Sequence, residues 1–188
     1  MKLDASIREL RDTLDRLPSI AAEIGQASGL LLDCLRRGNK LLLAGNGGSA
    51  AEAQHFSTEL VGRFKGNRCS LPAVSLTSDG TLMSCIANDF GWETVFVRQM
   101  EGLARPGDLV VVFSSSGNSA DLVTLLHSCR HQNMDTIAFL GKGGGRCRGL
   151  ASCEIIVPSG STATVQEIHL FLIHHLCEQI ELAFPPPA

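Results

Sequence analysis

The chain has 188 residues, of which 44% are hydrophobic and 19% are charged, and its formal net charge is −3. This length suits one domain with a full core over 1–188, and the negative charge argues against nucleic acid as a partner held by bulk electrostatic attraction. No apolar run has the length of a membrane span and no signal peptide is evident, so we expect a cytoplasmic protein without a membrane partner.

The N-terminal segment, residues 1–37, has helical periodicity. Ile7, Leu10 and Leu14 recur at spacings of three and four, Pro18 interrupts the pattern, and apolar periodicity then resumes. This predicts about two helices. Their long apolar stripe precedes the first strand, and we expect it to face a second subunit.

Beyond this segment, strand and helix patterns alternate over residues 38–183. The predicted strands are Lys40–Ala44, Ala73–Thr77, Asp108–Phe113, Thr136–Leu140 and Glu154–Val157. The predicted helices lie near 49–64, 80–87, 93–104, 119–132, 145–151 and 164–183. Continuous apolar strands indicate a parallel sheet covered on both faces, so the fold class is α/β, a three-layer α-β-α sandwich. Residues 184–188 read as a disordered tail.

Seven cysteines are scattered along the chain, and none forms a CxxC pair. Cys34 and Cys177 fall in apolar helical patterns, where a free cysteine behaves as a small hydrophobe. An odd number of cysteines without an export signal predicts reduced, structural thiols.

The most informative stretch is 41–64, LLLAGNGGSAAEAQHFSTELVGRF. A short apolar strand ends at the turn Asn46-Gly47-Gly48, and a helix begins at Ser49. This order presents free backbone N–H groups where an anion such as phosphate can bind. His55 and Glu59 follow on one face of the same helix. The turn matches neither nucleotide-binding fingerprint, and an ordinary βα connection with a surface His–Glu pair remains the alternative.

A second polar loop follows the third predicted strand. It consists of hydroxyl and amide residues that run into a helix: Ser114, Ser115, Ser116, Asn118 and Ser119. Such crowding at the end of a buried strand favours a phosphate site over a serine-rich helix cap. By themselves, Asn88 and Asp89 before Gly91 indicate a turn.

Three histidines stand in the last predicted helix. His169 on an apolar face is typical of a hydrogen-bonded core residue. The consecutive His174 and His175 point about 100° apart, so one is expected to be functional and the other structural. Their spacing does not decide which.

Five motifs in this order resemble the SIS (sugar isomerase) domain family: GNGGSA, HFSTELVGRF, IANDFG, SSSGNSAD and VQEIHLFLIH. Within that family the chain looks like the bacterial phosphoheptose isomerases, which convert sedoheptulose 7-phosphate to D-glycero-D-manno-heptose 7-phosphate for cell-surface polysaccharide synthesis. The resemblance covers residues 1–183. Such proteins are homotetramers with active sites at subunit interfaces.

The resemblance also implies roles for individual residues. One zinc ion per subunit would be held by four of them, with Glu59 also the general base and His174 the general acid: His55, Glu59, Gln166 and His174. The substrate would contact the serine loop (phosphate) and further residues: Asn46, Gly47, Gly48, Ser49, Glu59, Arg63, Asn88, Asp89, Ser114, Ser115, Ser116, Asn118, Ser119 and Gln166. Metal and acid–base chemistry suit an enediol mechanism.

Two alternatives remain open. The first is a non-catalytic SIS protein that binds a phosphosugar or a replication initiator, and the second is an isomerase of another ketose phosphate. The chain has Ala163 where similar isomerases carry an Asp, which bears on the identity of the sugar.

Overall fold

The computed structural model describes residues 2–185, and their core is a parallel β-sheet of five strands in the order β2-β1-β3-β4-β5. Every neighbouring pair is parallel. The strands are β1 (Leu41–Gly45), β2 (Ala73–Ser75), β3 (Leu109–Ser114), β4 (Asp135–Leu140) and β5 (Cys153–Ile156). Each predicted strand is present, with its ends shifted by at most two residues. The α/β prediction is therefore confirmed.

Helices cover both faces of this sheet. The described part of the chain contains α1 (Lys2–Arg16), α2 (Ala21–Arg36), α3 (Gly48–Val61), α4 (Gly80–Phe90), α5 (Val95–Leu103), α6 (Ala120–His131) and α7 (Thr162–Ala183). Alternate strand residues point to opposite faces. Accordingly Leu41 and Leu43 pack in the core with α2, α3 and α7, whereas Leu42 and Ala44 pack in the core with α4, α5 and α6.

Two local predictions are wrong. The predicted helix at 145–151 is instead a stretch of 3₁₀ turns, Lys142–Cys147, in which Gly143, Gly144 and Gly145 all have positive φ. Left-handed backbone cannot continue a right-handed helix. Phe184, placed in the disordered tail, donates its backbone N–H to Ile180 and Glu181 and packs against the core. The predicted tail residues 186–188 lie outside the described residues.

The N-terminal helices form as expected from their periodicity. A 3₁₀ turn with Pro18 at its start separates α1 from α2. Leu10 packs against the core, but Leu3, Ile7 and Leu14 on α1 are exposed. The apolar stripe of α1 is therefore only partly covered within one chain.

All seven cysteines are free thiols, as predicted. Cys69 and Cys85 are exposed, and the other five are buried. Burial raises the pKa of the Cys129 and Cys177 thiols to about 12. These buried thiols pack as small apolar side chains. Within residues 2–185, no helix combines the length and apolarity that crossing a membrane requires.

Candidate active site and metal centre

The direction in which successive strands are added to the sheet reverses between β1 and β3. The chain leaves β1 toward β2 on one side and leaves β3 toward β4 on the other, so the two connections diverge from adjacent strand ends. Such a point opens a crevice outside the carboxyl ends of the strands, where α/β proteins bind ligands. Asn46 spans it, because its Nδ2 donates to both carboxylate oxygens of the buried Asp121 at 3.1 and 2.8 Å. The crevice is thus closed at its base.

The turn after β1 is shaped by glycines. Gly47 has φ of 57° and precedes α3 without a side-chain cap, and within the turn the Ser49 N–H donates to the Asn46 carbonyl oxygen at 3.0 Å. The N-terminus of α3, with its partial positive charge, begins at the crevice. A Cβ placed on Gly48 would lie 2.4 Å from Nε2 of Gln166 on α7. The Gln166 amide therefore rests directly against the start of α3, and Gly48 leaves the room that it needs.

The serine loop, residues 114–119, follows β3 and opens α6. Ser114 is buried, and its Oγ accepts the Gly117 N–H at 3.0 Å, while Ser116 Oγ accepts the Asn118 N–H at 3.2 Å. The Ser119 hydroxyl makes no capping bond to α6. In the first turn of α6, the Leu122 N–H donates to Asp121 Oδ1 at 2.9 Å. Hydroxyls and the N-terminus of α6 thus share one loop, an arrangement that can bind a phosphate.

A glycine turn, residues 143–145, supports the serine loop from behind. A Cβ on Gly117 would come within 1.9 Å of the Gly144 carbonyl oxygen, so the two backbones are in direct contact. Asn118 Oδ1 accepts the Arg146 N–H at 3.1 Å, and the Gly117 carbonyl accepts the Cys147 N–H at 2.9 Å. These contacts fix the loop in one shape.

A cluster of three metal-binding side chains lies further along α3 and α7. Nε2 of His55 is 2.9 Å from Nε2 of His174 and 3.3 Å from Oε1 of Glu59. One potential ligand atom from each residue lies within 4.8 Å of the other two, and all three side chains are half-buried. Of the two consecutive histidines, His174 is the one that lies in this cluster. His175 is exposed and lines a separate pocket between α2 and α7.

The donor set fits a divalent zinc ion. Two imidazole nitrogens and one carboxylate form a known catalytic combination that leaves one position open. Tetrahedral bonds of about 2.0–2.1 Å place the nitrogen atoms about 3.3 Å apart. The His55–His174 separation would therefore widen by only a few tenths of an ångström.

Helices α3 and α7 lie side by side and run in the same direction. Gly48 meets Gln166 at one end, and His55 meets His174 two turns later. Buried side chains from both helices share one core, which fixes this register: Phe56, Leu60, Ile168, Leu172, Ile173 and Leu176. The contact of Gln166 with Gly48 consequently lies about 10 Å along the axis from the cluster.

The structure brings three of the four predicted metal ligands together, and the ligand role of Gln166 stays a prediction. Ser49 is buried in the first turn of α3, and Arg63 is exposed just beyond its end. Asn88 and Asp89 are exposed in the last turn of α4 and hydrogen-bond to each other at 2.8 Å. Their predicted substrate contacts also stay predictions.

His169 is a core residue, as predicted. It is fully buried, its Nε2 lies 3.4 Å from the Leu140 carbonyl oxygen, and its Nδ1 lies 3.5 Å from a carboxylate oxygen of buried Glu52. Its ring packs edge-on against Phe113 and Phe139. His169 therefore belongs to the packing beneath the site.

Sequence reasoning missed the loop that follows α3. Phe64 stacks on the ring of His174, with centroids 5.4 Å apart and planes at 21°. Glu181 on α7 accepts hydrogen bonds from the backbone of that same loop. Phe64 ends the recognised motif HFSTELVGRF, but its partner lies more than a hundred residues away and spacing does not indicate it.

These features define an α/β protein with a candidate anion-binding loop at the carboxyl ends of a parallel sheet and a candidate metal centre about two helical turns along α3. Residues 7–141 match the family described as SIS domain, and the chain belongs to this family. The resemblance inferred from the motifs is thereby confirmed.

Similar proteins carry a more specific name. The chain is 44% identical over 172 residues to the phosphoheptose isomerase of Akkermansia muciniphila, covering 92% of this chain and 91% of that protein. It is 44% identical over 180 residues to that of Geobacter sulfurreducens, covering 95% of each. The solved structure of phosphoheptose isomerase GmhA from Neisseria gonorrhoeae superposes with a TM-score of 0.90 at 35% identity, over 96% of this chain and 97% of that one.

Proposed function

We propose that this chain is a phosphoheptose isomerase, which converts D-sedoheptulose 7-phosphate to D-glycero-D-manno-heptose 7-phosphate. The observation that carries the proposal is the convergence of His55, Glu59 and His174 two helical turns from the crevice at which α3 and α6 begin. The similar proteins of that name, which match nearly the whole chain, support the particular sugar. The product would enter heptose synthesis for cell-surface polysaccharide.

The substrate would lie along the crevice with its phosphate in the serine loop. Ser115, Ser116 and Ser119 are half-buried at the mouth of this loop, and the N-terminus of α6 adds its dipole. The buried Ser114 hydroxyl holds the loop in shape by accepting the Gly117 N–H. Gln166 lies on α7 against the start of α3, where it is placed to contact a hydroxyl group between the phosphate and the reacting carbons.

Glu59 and His174 supply the base and the acid. Glu59 removes a proton from C1 of the ketose, and His174 gives a proton to the carbonyl oxygen at C2, which yields the enediol. A proton is then returned to C2, and the hydroxyl on C1 loses its proton to form the aldehyde. C1 loses one bond to hydrogen and C2 gains one, so the reaction needs no external oxidant or reductant.

Zinc would be held by His55, Glu59 and His174, and when bound it would polarise the substrate carbonyl. Glu59 cannot be fully a ligand and fully a base at once, because a tightly coordinated carboxylate is a weak base. A metal-bound ring nitrogen carries no proton, so His174 must likewise free its Nε2 from the metal before that nitrogen can act as the acid. We therefore expect Glu59 to leave or loosen its ligand position when substrate arrives. Gln166 would replace it as a ligand only if the amide moved by about two helical turns' distance.

Incubation of the purified protein with sedoheptulose 7-phosphate tests this function. The protein is stripped with a chelator, supplied with zinc or left without it, and the sugar phosphates are resolved by anion-exchange chromatography. We expect the heptose 7-phosphate to form with zinc. Absence of product under both conditions would contradict the proposal and favour a non-catalytic SIS protein. Turnover of fructose 6-phosphate but not of the seven-carbon sugar would point to another isomerase.

We also propose that the protein is a cytoplasmic homotetramer with active sites at subunit interfaces. The exposed apolar residues of α1, Leu3, Ile7 and Leu14, support a subunit contact there. Light scattering after size-exclusion chromatography measures the mass directly, and a monomer at micromolar concentration would contradict the assembly.

A further inference from the structure

The segment after α3, residues 62–68, is held by one carboxylate of α7. Oε1 of Glu181 accepts the backbone N–H groups of Phe64, Lys65 and Gly66 at 3.2, 3.1 and 3.2 Å. Its Oε2 accepts those of Lys65 and Gly66 at 3.2 and 3.0 Å. Three consecutive amides directed at one ion form a backbone nest. We call this segment the exit loop.

The nest determines where Phe64 lies. Glu181 follows His174 by seven residues, which is two helical turns, so both side chains project from the same face of α7. The exit loop bends back over this face, and the Phe64 ring stacks on the His174 ring. The carboxylate of Glu181 thus fixes the aromatic wall on one side of the candidate acid.

The same carboxylate faces a buried cation. Arg68 has a side chain only 2% exposed, and its Nε makes no hydrogen bond but lies 4.0 Å from Oε1 of Glu181. Its terminal nitrogens donate to the Glu59 carbonyl oxygen at 2.6 Å and to the Leu60 carbonyl oxygen at 2.8 Å. A guanidinium at this place caps the C-terminal turn of α3 and needs an opposite charge nearby.

We propose that Glu181 is a positioning residue for the metal centre and for both proton-transfer groups. Through the exit loop it holds Phe64 against His174, and through Arg68 it holds the turn of α3 that carries Glu59. This inference rests on the proposed function only for the roles of His174 as acid and Glu59 as base. The positioning itself is a property of the apo chain.

Glu178 provides a matched control. It lies one turn before Glu181 on α7 and binds the same loop, but through the Lys65 side chain at 2.7 Å and not through the backbone. Its side chain is half exposed, and the Lys65 hydrogen bond lowers its pKa. Removing a surface ion pair of this kind has little effect on a structure.

The experiment compares E181L with E178L in the full chain. Hydrogen exchange of the exit-loop amides and the zinc dissociation constant, from competition with a chromogenic chelator, are measured alongside kcat and KM. We expect E181L to lose amide protection and to weaken zinc binding and kcat by about 10–100-fold, as other outer partners of metal ligands do. KM should stay within about threefold, because the serine loop is not touched. E178L should match the wild type.

Two further variants separate positioning from general destabilisation. E181Q keeps an acceptor for the nest but no charge for Arg68, so its zinc affinity and kcat should fall between E181L and wild type. F64L keeps the carboxylate but removes the stacked ring, and it carries the test should E181L fail to fold. In the double variant F64L/E181L, we expect the fold-decrease in zinc affinity and in kcat to be smaller than the product of the fold-decreases in the two single variants. The reason is that both substitutions act on His174.

The outcomes separate this inference from the proposed function. A wild-type protein that binds zinc but does not turn over sedoheptulose 7-phosphate contradicts the proposed function. The role of Glu181 is then tested by the zinc dissociation constants of E181L and E178L alone. Zinc affinity and kcat in E181L equal to those of E178L would overturn the inference, whether or not amide protection is lost. An increase in KM alone would overturn it as well.

Discussion

Substitution of Gly117 by alanine tests how tightly the serine loop is held. The new Cβ would lie 1.9 Å from the Gly144 carbonyl oxygen, whereas real Cβ atoms keep at least 3.0 Å from such neighbours. One of the two backbones must therefore move by about 1.1 Å, the difference between these distances. Gly117 also has φ of 65°, which costs a residue with a side chain about 1–2 kcal/mol.

Gly38 offers the matched control. Its φ is 74°, but a Cβ there would meet nothing within 4 Å. Both variants carry the left-handed strain, offset in part by about 0.4–1 kcal/mol from the lower entropy of the unfolded chain. Only G117A carries the clash. The difference between them isolates the effect of displacing the loop.

We expect G117A to lower kcat/KM for sedoheptulose 7-phosphate by about 100-fold relative to G38A, the size of effect that a displacement of about 1 Å produces in a positioned site. Steady-state kinetics give this ratio, and urea unfolding confirms that both variants are folded. A G117A variant with kcat/KM within about threefold of G38A would refute the close backbone contact and the loop's role in positioning the phosphate.

Three other perturbations have defined outcomes. Burial alone raises the pKa of Asp108, but hydrogen bonds from the Lys40 side chain and from backbone amides outweigh it and lower that pKa. The stability that this ionised carboxylate contributes is present above pH ~4 and is lost as the pH falls through the lowered pKa. D108N should therefore lose about 1–3 kcal/mol of unfolding free energy at pH 7. The difference in unfolding free energy between D108N and the wild type should disappear in acid. Iodoacetamide should alkylate only the two exposed cysteines of the native protein, and mass spectrometry showing a third adduct would contradict the buried positions. The variant S116A/S119A should raise KM for the phosphorylated sugar, and an unchanged KM would place the phosphate elsewhere.

The sheet and most helices were predictable because their signals are local. Continuous apolar runs such as Leu41–Ala44 identify strands that are buried on both faces. The glycines at 143–145 are local too, but their signal conflicted with the helical reading of the adjacent residues. The positive φ values of all three glycines decide that the segment forms turns, and the backbone of Gly144 and Gly145 packs against the serine loop.

The candidate site was predictable in part. His55 and Glu59 share a helix face, so their proximity follows from their spacing. The choice of His174 over His175 depended on family resemblance, and in the structure it follows from the register between α3 and α7. The register also carries Gln166 to Gly48, which spacing on α7 alone did not indicate.

Long-range backbone contacts were not predictable. Glu181 reads as an ordinary charged residue near the end of an amphipathic helix, and nothing in its neighbours indicates that it binds the amides of residues 64–66. Such a nest depends on the path of a loop more than a hundred residues away. Only the folded chain reveals it.

We propose above all that the cluster of His55, Glu59 and His174 between α3 and α7 carries out the isomerisation. The most direct measurement is the rate of heptose 7-phosphate formation by wild type, E59Q and E178Q, each at the same bound zinc content. We expect wild type and E178Q to form product at equal rates and E59Q to form none above background while remaining folded. Wild-type turnover by E59Q would contradict the claim.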